Sequence, residues 1–337
     1  MLDSGRHELF RRLVEKSRRL VLTTHMNPDG DAIGSEIGLG RFLAAAGREV
    51  KIVNQEATPR NLTYLEEFGP PVEVYHPRDH DAELAAADLV VLLDNSAPDR
   101  LGRMEPVVRS LASKVLCIDH HPAQGTIWAH EILDETASAT AAMVYELIVA
   151  AGHALDTGTA EALYAGLATD TGFFRFNSTR ARAHEIAAAL LHVGIEPARC
   201  FREVFERNSP AWTRLLGRAL ASLHLDAGGR IVSVRVPRAV ELECGAEGAD
   251  TSEMTTPLLA IDGVQVALLF RELQDGRIKV SLRSKGNIDV YRLASEFGGG
   301  GHRNASGIVT DGRLDEIAEK VIARAADLLS ASRGTHS

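Results

Sequence analysis

What most restricts the folding of this chain is a set of short, unbroken apolar runs in its first half. They are Leu20-Val21-Leu22-Thr23-Thr24, Val50-Lys51-Ile52-Val53, Leu89-Val90-Val91-Leu92-Leu93 and Val115-Leu116-Cys117-Ile118. Strands covered on both faces carry runs of this kind, whereas a sheet with one wet face alternates apolar and polar residues. Helical stretches stand between and after them, at 32–46, ended by Gly47, and at 138–151 and 159–169. Strands alternating with helices predict an α/β domain built on a doubly wound, mostly parallel sheet.

The second half reads differently. From 179 to 225 the pattern is helical, broken by Pro197 and Pro210. Beyond it, 231–236, 264–270 and 278–282 read as strands, with Asp275-Gly276 as a hairpin signal before the last. Stretches 293–297 and 314–329 read as helices. We therefore expect an α/β domain over 1–190, a helical connector over 191–225, and a smaller α+β domain over 226–330.

Charge narrows the range of partners. A formal net charge of −9 argues against general duplex DNA binding, which needs a strongly basic face. One basic stretch runs against that balance: Arg277, Lys279, Arg283, Lys285, Arg292 and Arg303 face only Asp289 and Glu296, beside a glycine-rich loop. Three cysteines, Cys117, Cys200 and Cys244, offer no CxxC pair and no disulfide framework, which suits a reducing cytoplasm. The first residues carry no apolar signal core, and no run approaches the ~18 apolar residues of a membrane span. A cytoplasmic protein without membrane contact is expected.

The apolar runs lead into acids and imidazoles. The first is followed by His25-Met26-Asn27-Pro28-Asp29-Gly30-Asp31, the third by Asp94, and the fourth by Asp119-His120-His121; Asp170 follows a helix. In open α/β sheets ligands bind beyond the carboxyl ends of strands, so residues distant in sequence are expected to meet there. Pro28 and Gly30 enforce a tight loop that can aim His25, Asp29 and Asp31 at one centre. Clustered carboxylates and imidazoles would repel and titrate abnormally without a cation among them. The oxygen-rich set with imidazole and no thiolate favours Mn²⁺ or a similar divalent ion over structural Zn²⁺.

His25-x-Asn27-Pro28-Asp29-x-Asp31-Ala32-x-Gly34-Ser35, the Asp94 loop and Asp119-His120-His121 together resemble the signature of the DHH phosphoesterase superfamily. Gly298-Gly299-Gly300-Gly301-His302-x-Asn304-Ala305-x-Gly307 resembles the hallmark of its DHH-associated C-terminal substrate domain. The match runs in the expected order over nearly the whole chain. It is most similar to the nano-RNase and pAp-phosphatase (NrnA-like) branch.

The resemblance implies two divalent cations, with manganese the expected pair. His25 and Asp29 would hold one, and Asp31, His120 and Asp170 the other, with Asp94 shared. His121 would face the substrate as phosphate contact or general acid, and Asp119 would orient a neighbouring imidazole. Paired cations about 3.5–4 Å apart activate water for in-line attack on phosphorus, so no covalent nucleophile is required. In the second domain Arg283, Ser284, the backbone of Gly299, Gly300 and Gly301, and His302 would grip substrate phosphate.

The implied activity is hydrolysis of very short single-stranded RNA to mononucleotides, together with conversion of pAp to AMP. Alternatives of the same chemistry are hydrolysis of cyclic or linear dinucleotides (c-di-AMP, pApA) and a RecJ-like single-strand exonuclease. The chain leaves no room for an added OB-type module, and its 5% aromatic content offers few stacking residues, which weighs against the exonuclease. An inorganic pyrophosphatase would share the first motifs but not the Gly-Gly-Gly-His loop. A non-catalytic nucleotide-binding module would not need all six ligands. A homodimer is compatible with the family.

Overall fold

The computed structural model describes residues 2–122, 125, 127–249 and 251–331, with backbone alone at His302 and Ala331. The chain forms two compact units that divide between Arg207 and Asn208.

The first unit opens with α1 (Ser4–Lys16), β1 (Arg19–Thr23), α2 (Gly30–Ala45), β2 (Glu49–Asn54), β3 (Val72–Val74) and α3 (Pro77–Ala86). It continues through β4 (Leu89–Leu93), α4 (Glu105–Ser110), β5 (Val115–Asp119), β6 (His130–Leu133) and α5 (Thr140–Ala150). The helices α6 (Thr157–Asp170), α7 (Ala181–His192) and α8 (Pro197–Phe205) complete it. All six strands are parallel, in the order β3-β2-β1-β4-β5-β6. The expected doubly wound sheet is therefore present, enlarged by β3 and β6. Neither had been expected, because three or four partly polar residues make no apolar run.

Side chains that alternate along each strand feed two cores. Leu20, Leu22, Val91, Leu93, Leu116 and Ile118 pack with α2, α5 and α6 residues on one face. Val21, Val90, Leu92, Val115 and Cys117 pack with Leu84, Leu101, Met104 and Val108 on the other. The strand order reverses between β1 and β4, the adjoining parallel pair at the centre. Connections leave that pair in opposite directions and open a crevice at its carboxyl end.

Helices α2 and α6 pack backbone to backbone. A Cβ at Gly34 would lie 2.5 Å from the Ala162 carbonyl oxygen and 2.8 Å from the Gly166 amide nitrogen, and one at Gly30 would overlap the Thr169 side chain. Only glycine permits this approach, which brings the start of α2 beside the end of α6.

The second unit contains α9 (Pro210–Ala221), β7 (His224–Asp226), β8 (Ile231–Val236), α10 (Arg238–Cys244), α11 (Thr255–Leu259) and β9 (Val266–Glu272). After these come β10 (Ile278–Ser284), α12 (Val290–Glu296), β11 (Gly300–His302), β12 (Ala305–Thr310) and α13 (Leu314–Ala331). The sheet order is β11-β12-β10-β9-β8-β7, antiparallel except for β8 with β9. Val266, Leu268 and Phe270 face a core shared with α12 and α13. Ala267 and Leu269 face one shared with Leu215, Ala219 and Leu258.

The helical stretch expected as a connector is split between the units. Helix α8 belongs with the first and α9 with the second, where Leu215 and Ala219 enter the core. Among the described residues no helix is long and apolar enough to cross a membrane.

Candidate metal centre

The two central strands deliver the key side chains. His25 follows β1 and Asp94 follows β4, and their Nε2 and Oδ2 atoms lie 3.4 Å apart with both residues almost wholly buried. Asp94 occupies a left-handed backbone conformation at φ 57°, uncommon for any residue but glycine and least costly for Asp or Asn. Its amide donates to the Ile118 carbonyl at 3.0 Å, so β5 holds the bend.

Asp29 caps α2: its Oδ1 accepts from the amides of Asp31 and Ala32 at 3.0 and 3.1 Å. Asp31, in the first turn, does a second job. Helix α5 begins at Thr140 behind Ala139, a residue with no capping side chain. Asp31 takes that place from a different helix, accepting from the amides of Thr140 at 2.6 Å and Ala141 at 2.8 Å. The hydroxyl of Thr140 donates to Asp94 Oδ1 at 2.9 Å. Thr140 was not singled out in the sequence; the available signal was Ser138-x-Thr140 ahead of an apolar helix.

The remaining residues close around Asp94. The Nε2 atom of His120 lies 3.5 Å from Asp94 Oδ1, 3.5 Å from Asp170 Oδ2 and 3.8 Å from Asp31 Oδ2. His121 Nδ1 lies 2.8 Å from Asp119 Oδ1 and 3.7 Å from Asp94 Oδ1. Three sets of potential ligand atoms result: His25, Asp29 and Asp94; Asp31, His120 and Asp170; and Asp94, His120 and His121. Thus the structure brings together all eight first-domain residues singled out above, and Asp94 occurs in two of the three sets.

Protonation states follow from the neighbours. The Nδ1 atom of His25 lies 2.7 Å from the Met26 carbonyl, which can only accept, so the ring proton belongs on Nδ1. That leaves a lone pair on Nε2, which is buried and without a hydrogen-bond partner, as is Nε2 of His120. Burial holds the His25 imidazole below its usual range, favouring this neutral form. His120 is raised: burial opposes its charge, but Asp31, Asp170 and Asp119 outweigh it.

The carboxyls diverge. Burial, then the charges of Asp31, Asp29 and Asp170, lift Asp94 well above the carboxylate range. Burial, then the charge of Asp31, lifts Asp170 to about 8. Burial would also raise Asp119, but its hydrogen bonds and charge interaction with His121 prevail and bring it to about 2. A group of acids this costly to ionise together, beside the buried lone pair of His25 and an imidazole that charge from three acids already favours as a cation, is chemically complementary to cations.

A buried acid without a sequence signal is linked through Asn54 to the backbone before His25. Glu36, in α2, is fully buried; its Oε2 accepts from Asn54 Nδ2 at 2.7 Å, while Oε1 has no hydrogen-bond partner. Asn54 in turn accepts from the Thr24 amide at 3.3 Å. Burial pushes Glu36 up to about 8 against the opposing effect of the Asn54 hydrogen bond.

The second unit modifies expectations for the phosphate-gripping residues. Ser284 is buried, and its hydroxyl donates to the Ile288 carbonyl at 2.6 Å, so it builds the turn after β10. Asn304 closes the same turn by donating to Ser284 Oγ, Gly286 O and Ile288 O at 2.9, 3.0 and 3.2 Å. The Gly299 amide is committed to the Ala294 carbonyl at the end of α12, at 2.9 Å. It therefore has no proton to offer a phosphate.

Gly300 and Gly301 form an edge strand with His302, paired to Gly307, Ser306 and Ala305, where a loop had been expected. A Cβ at Gly301 would stand 2.6 Å from the Ala305 carbonyl oxygen, so part of the glycine requirement comes from this pairing. Arg283 is half-buried, with one guanidinium N–H donating to the Leu282 carbonyl at 3.1 Å. The side chain of His302 lies outside the described residues.

Comparison with known proteins agrees with this arrangement. Residues 19–167 match the DHH family, N-terminal domain, and residues 231–327 match the DHHA1 domain. The chain is 33% identical to the bifunctional oligoribonuclease and PAP phosphatase NrnA of Thermus thermophilus, over 90% of this chain and 88% of that one. Its fold superposes on an exopolyphosphatase-related protein from Bacteroides fragilis with a TM-score of 0.92, at 29% identity over 97% of each chain. The fold alone is shared with RecJ of Thermus thermophilus, solved with Mn²⁺, at 17% identity and a TM-score of 0.56 over 96% of this chain and 54% of that one.

Proposed function

The chain belongs to the DHH phosphoesterase family, and from that membership we propose that it is a two-metal hydrolase of very short oligoribonucleotides that also converts pAp to AMP. One observation carries the reading: two buried imidazole nitrogens without hydrogen-bond partners flank Asp94 among mutually repelling carboxyls. The donor set fits divalent ions, with manganese favoured by its mixture of oxygen and imidazole.

His25 and Asp29 would hold one ion and Asp31, His120 and Asp170 the other, with Asp94 shared. Bound there, the pair would supply an activated water and screen charge on the phosphoryl oxygens. The protein's own residues do the rest. Asp119, kept ionised, accepts the Nδ1 proton of His121 and fixes that ring. His121 is thereby oriented to give a proton to the departing oxygen. Thr140 and the first amides of α5 hold Asp94 and Asp31 in place, so neither must reorganise as charge develops. Arg283 would bind a terminal phosphate through its planar fork.

The test is incubation with Mn²⁺ and, separately, a labelled RNA dinucleotide, a cyclic dinucleotide, a long single strand, pAp and pyrophosphate. Release of mononucleotide from the dinucleotide and of phosphate from pAp supports the reading. Cleavage of only the long strand, or of only pyrophosphate, overturns it.

A further inference from the structure

Helix α6 ends at Asp170, and the chain then turns left-handed for three consecutive residues. Gly172, Phe173 and Phe174 have φ of 57°, 54° and 66°. Two of the three carry large side chains, for which this conformation is strained and must be imposed by the surroundings.

Both aromatic rings are clamped. Phe173 meets Phe201 and Phe205 of α8 edge-on, at centroid distances of 5.2 and 4.9 Å. Phe174 stacks on His184 of α7 at 5.2 Å. Backbone bonds close the turn, from Phe173 N to Ala168 O at 2.6 Å and from Arg175 N and Phe176 N to Thr171 O at 3.1 and 3.0 Å.

The product of all this constraint is the placement of one exposed ring. Phe176 is 49% exposed and lies against Gly172, where a Cβ would stand 2.5 Å from its Cζ. The ring is thus seated over the second residue after Asp170, one of the prospective ligands. The Arg175 guanidinium sits 5.5 Å from its centroid. An exposed phenylalanine needs no explanation by itself. One fixed by a strained, doubly clamped turn beside a cluster of prospective ligands does.

We propose that Phe176 is a stacking platform for a nucleobase of the substrate. This rests on the functional reading above and adds to it the group that recognises the base. Every base has a π-face, so a phenylalanine platform accepts purines and pyrimidines without hydrogen-bond readout. It would give a nuclease of short fragments the lack of sequence preference its task requires.

The test compares wild type with Phe176→Ala, Phe176→Leu and Phe176→Trp on RNA dinucleotides and on dinucleotides made abasic at either end. For ordinary dinucleotides the Ala and Leu variants should raise KM roughly five- to a hundredfold, the range of one base–aromatic stack. Their kcat should change little, and Phe176→Trp should restore KM. On the dinucleotide abasic at the stacking position, wild type and variants should be equal.

Equal losses on ordinary and both abasic substrates would mean that the ring only supports the turn, and an unchanged KM would remove the platform altogether; either overturns the proposal. Affinity for a non-hydrolysable phosphorothioate dinucleotide separates this from failure of the functional reading. Binding that depends on Phe176 without cleavage sinks only the hydrolase. Binding that ignores Phe176, or no binding at all, sinks the platform.

Discussion

The cluster beyond β1 and β4 and the motif around β10, β11 and β12 both stand out as sequence patterns, yet their polar groups are occupied in opposite ways. In the first, ring nitrogens of His25 and His120 are buried without hydrogen-bond partners, and Asp94 is raised by burial and by the carboxyls around it. In the second, Ser284, Asn304 and Gly299 spend their donors on one another and on nearby carbonyls. The first is incomplete as protein alone and gains from added positive charge. The second is a self-supporting turn whose residues are needed to shape the backbone. A motif can therefore mark chemistry in one place and scaffolding in another, and the hydrogen-bond inventory distinguishes them.

The most forceful way to break this contrast is at Asp94. Asp94→Ala should lower turnover by at least about a hundred- to a thousandfold, the scale of losing a group that acts directly on transition-state charge. Near-normal rates in Mn²⁺ would contradict its place in two ligand sets.

Next in size is the metal's effect on stability. At a hundred times its dissociation constant, Mn²⁺ should stabilise wild type by about 2.7 kcal/mol. Asp94→Asn should lose most of that gain while melting at least as high as wild type in chelator, because it removes the cost of a titratable carboxyl that is buried beside Asp31, Asp29 and Asp170. A chelator-insensitive melting temperature for wild type would refute the contrast.

The second region offers a paired test. Asn304→Ala should destabilise the protein by about 1–3 kcal/mol through the bonds lost from the turn at 284–288. Arg283→Ala should leave the melting temperature nearly unchanged and raise KM about tenfold with kcat preserved. The reverse pattern would mean that Arg283 is the scaffold.

The smallest effect concerns Glu36. Burial favours its protonated form in the folded state, with a pKa near 8, whereas the unfolded chain ionises in the ordinary carboxyl range. Its stabilising contribution is complete below that ordinary range and is lost as pH rises through about 8. Between about pH 5 and 8 wild type should therefore lose melting temperature faster than Glu36→Gln. Parallel profiles would show that Glu36 does not titrate there.

Much of the first unit was legible because its strands are continuous apolar runs and its ligands follow them. The strands β3 and β6 were not, since Val72–Val74 and His130–Leu133 are short and half polar. The eight first-domain residues were legible as a group. Thr140 and Glu36 were not, because one acts through backbone amides and a hydroxyl at a helix start and the other hides inside α2. In the second unit Arg283, Ser284 and the glycines were visible as a pattern. Their division of labour was not, because it depends on where each hydrogen bond goes.

Asp31 stands in the ligand set and also terminates a helix that belongs to a distant part of the chain. Substitution at this position thus disturbs two things at once, and an alanine scan would misread it: the inactive variant would also have a frayed α5 and a displaced Thr140. Asparagine keeps an acceptor for one of the two amides, turns an NH2 toward the other, and surrenders the negative charge. The difference between the two variants, more than either alone, would separate what this single carboxylate does for folding from what its charge does for chemistry.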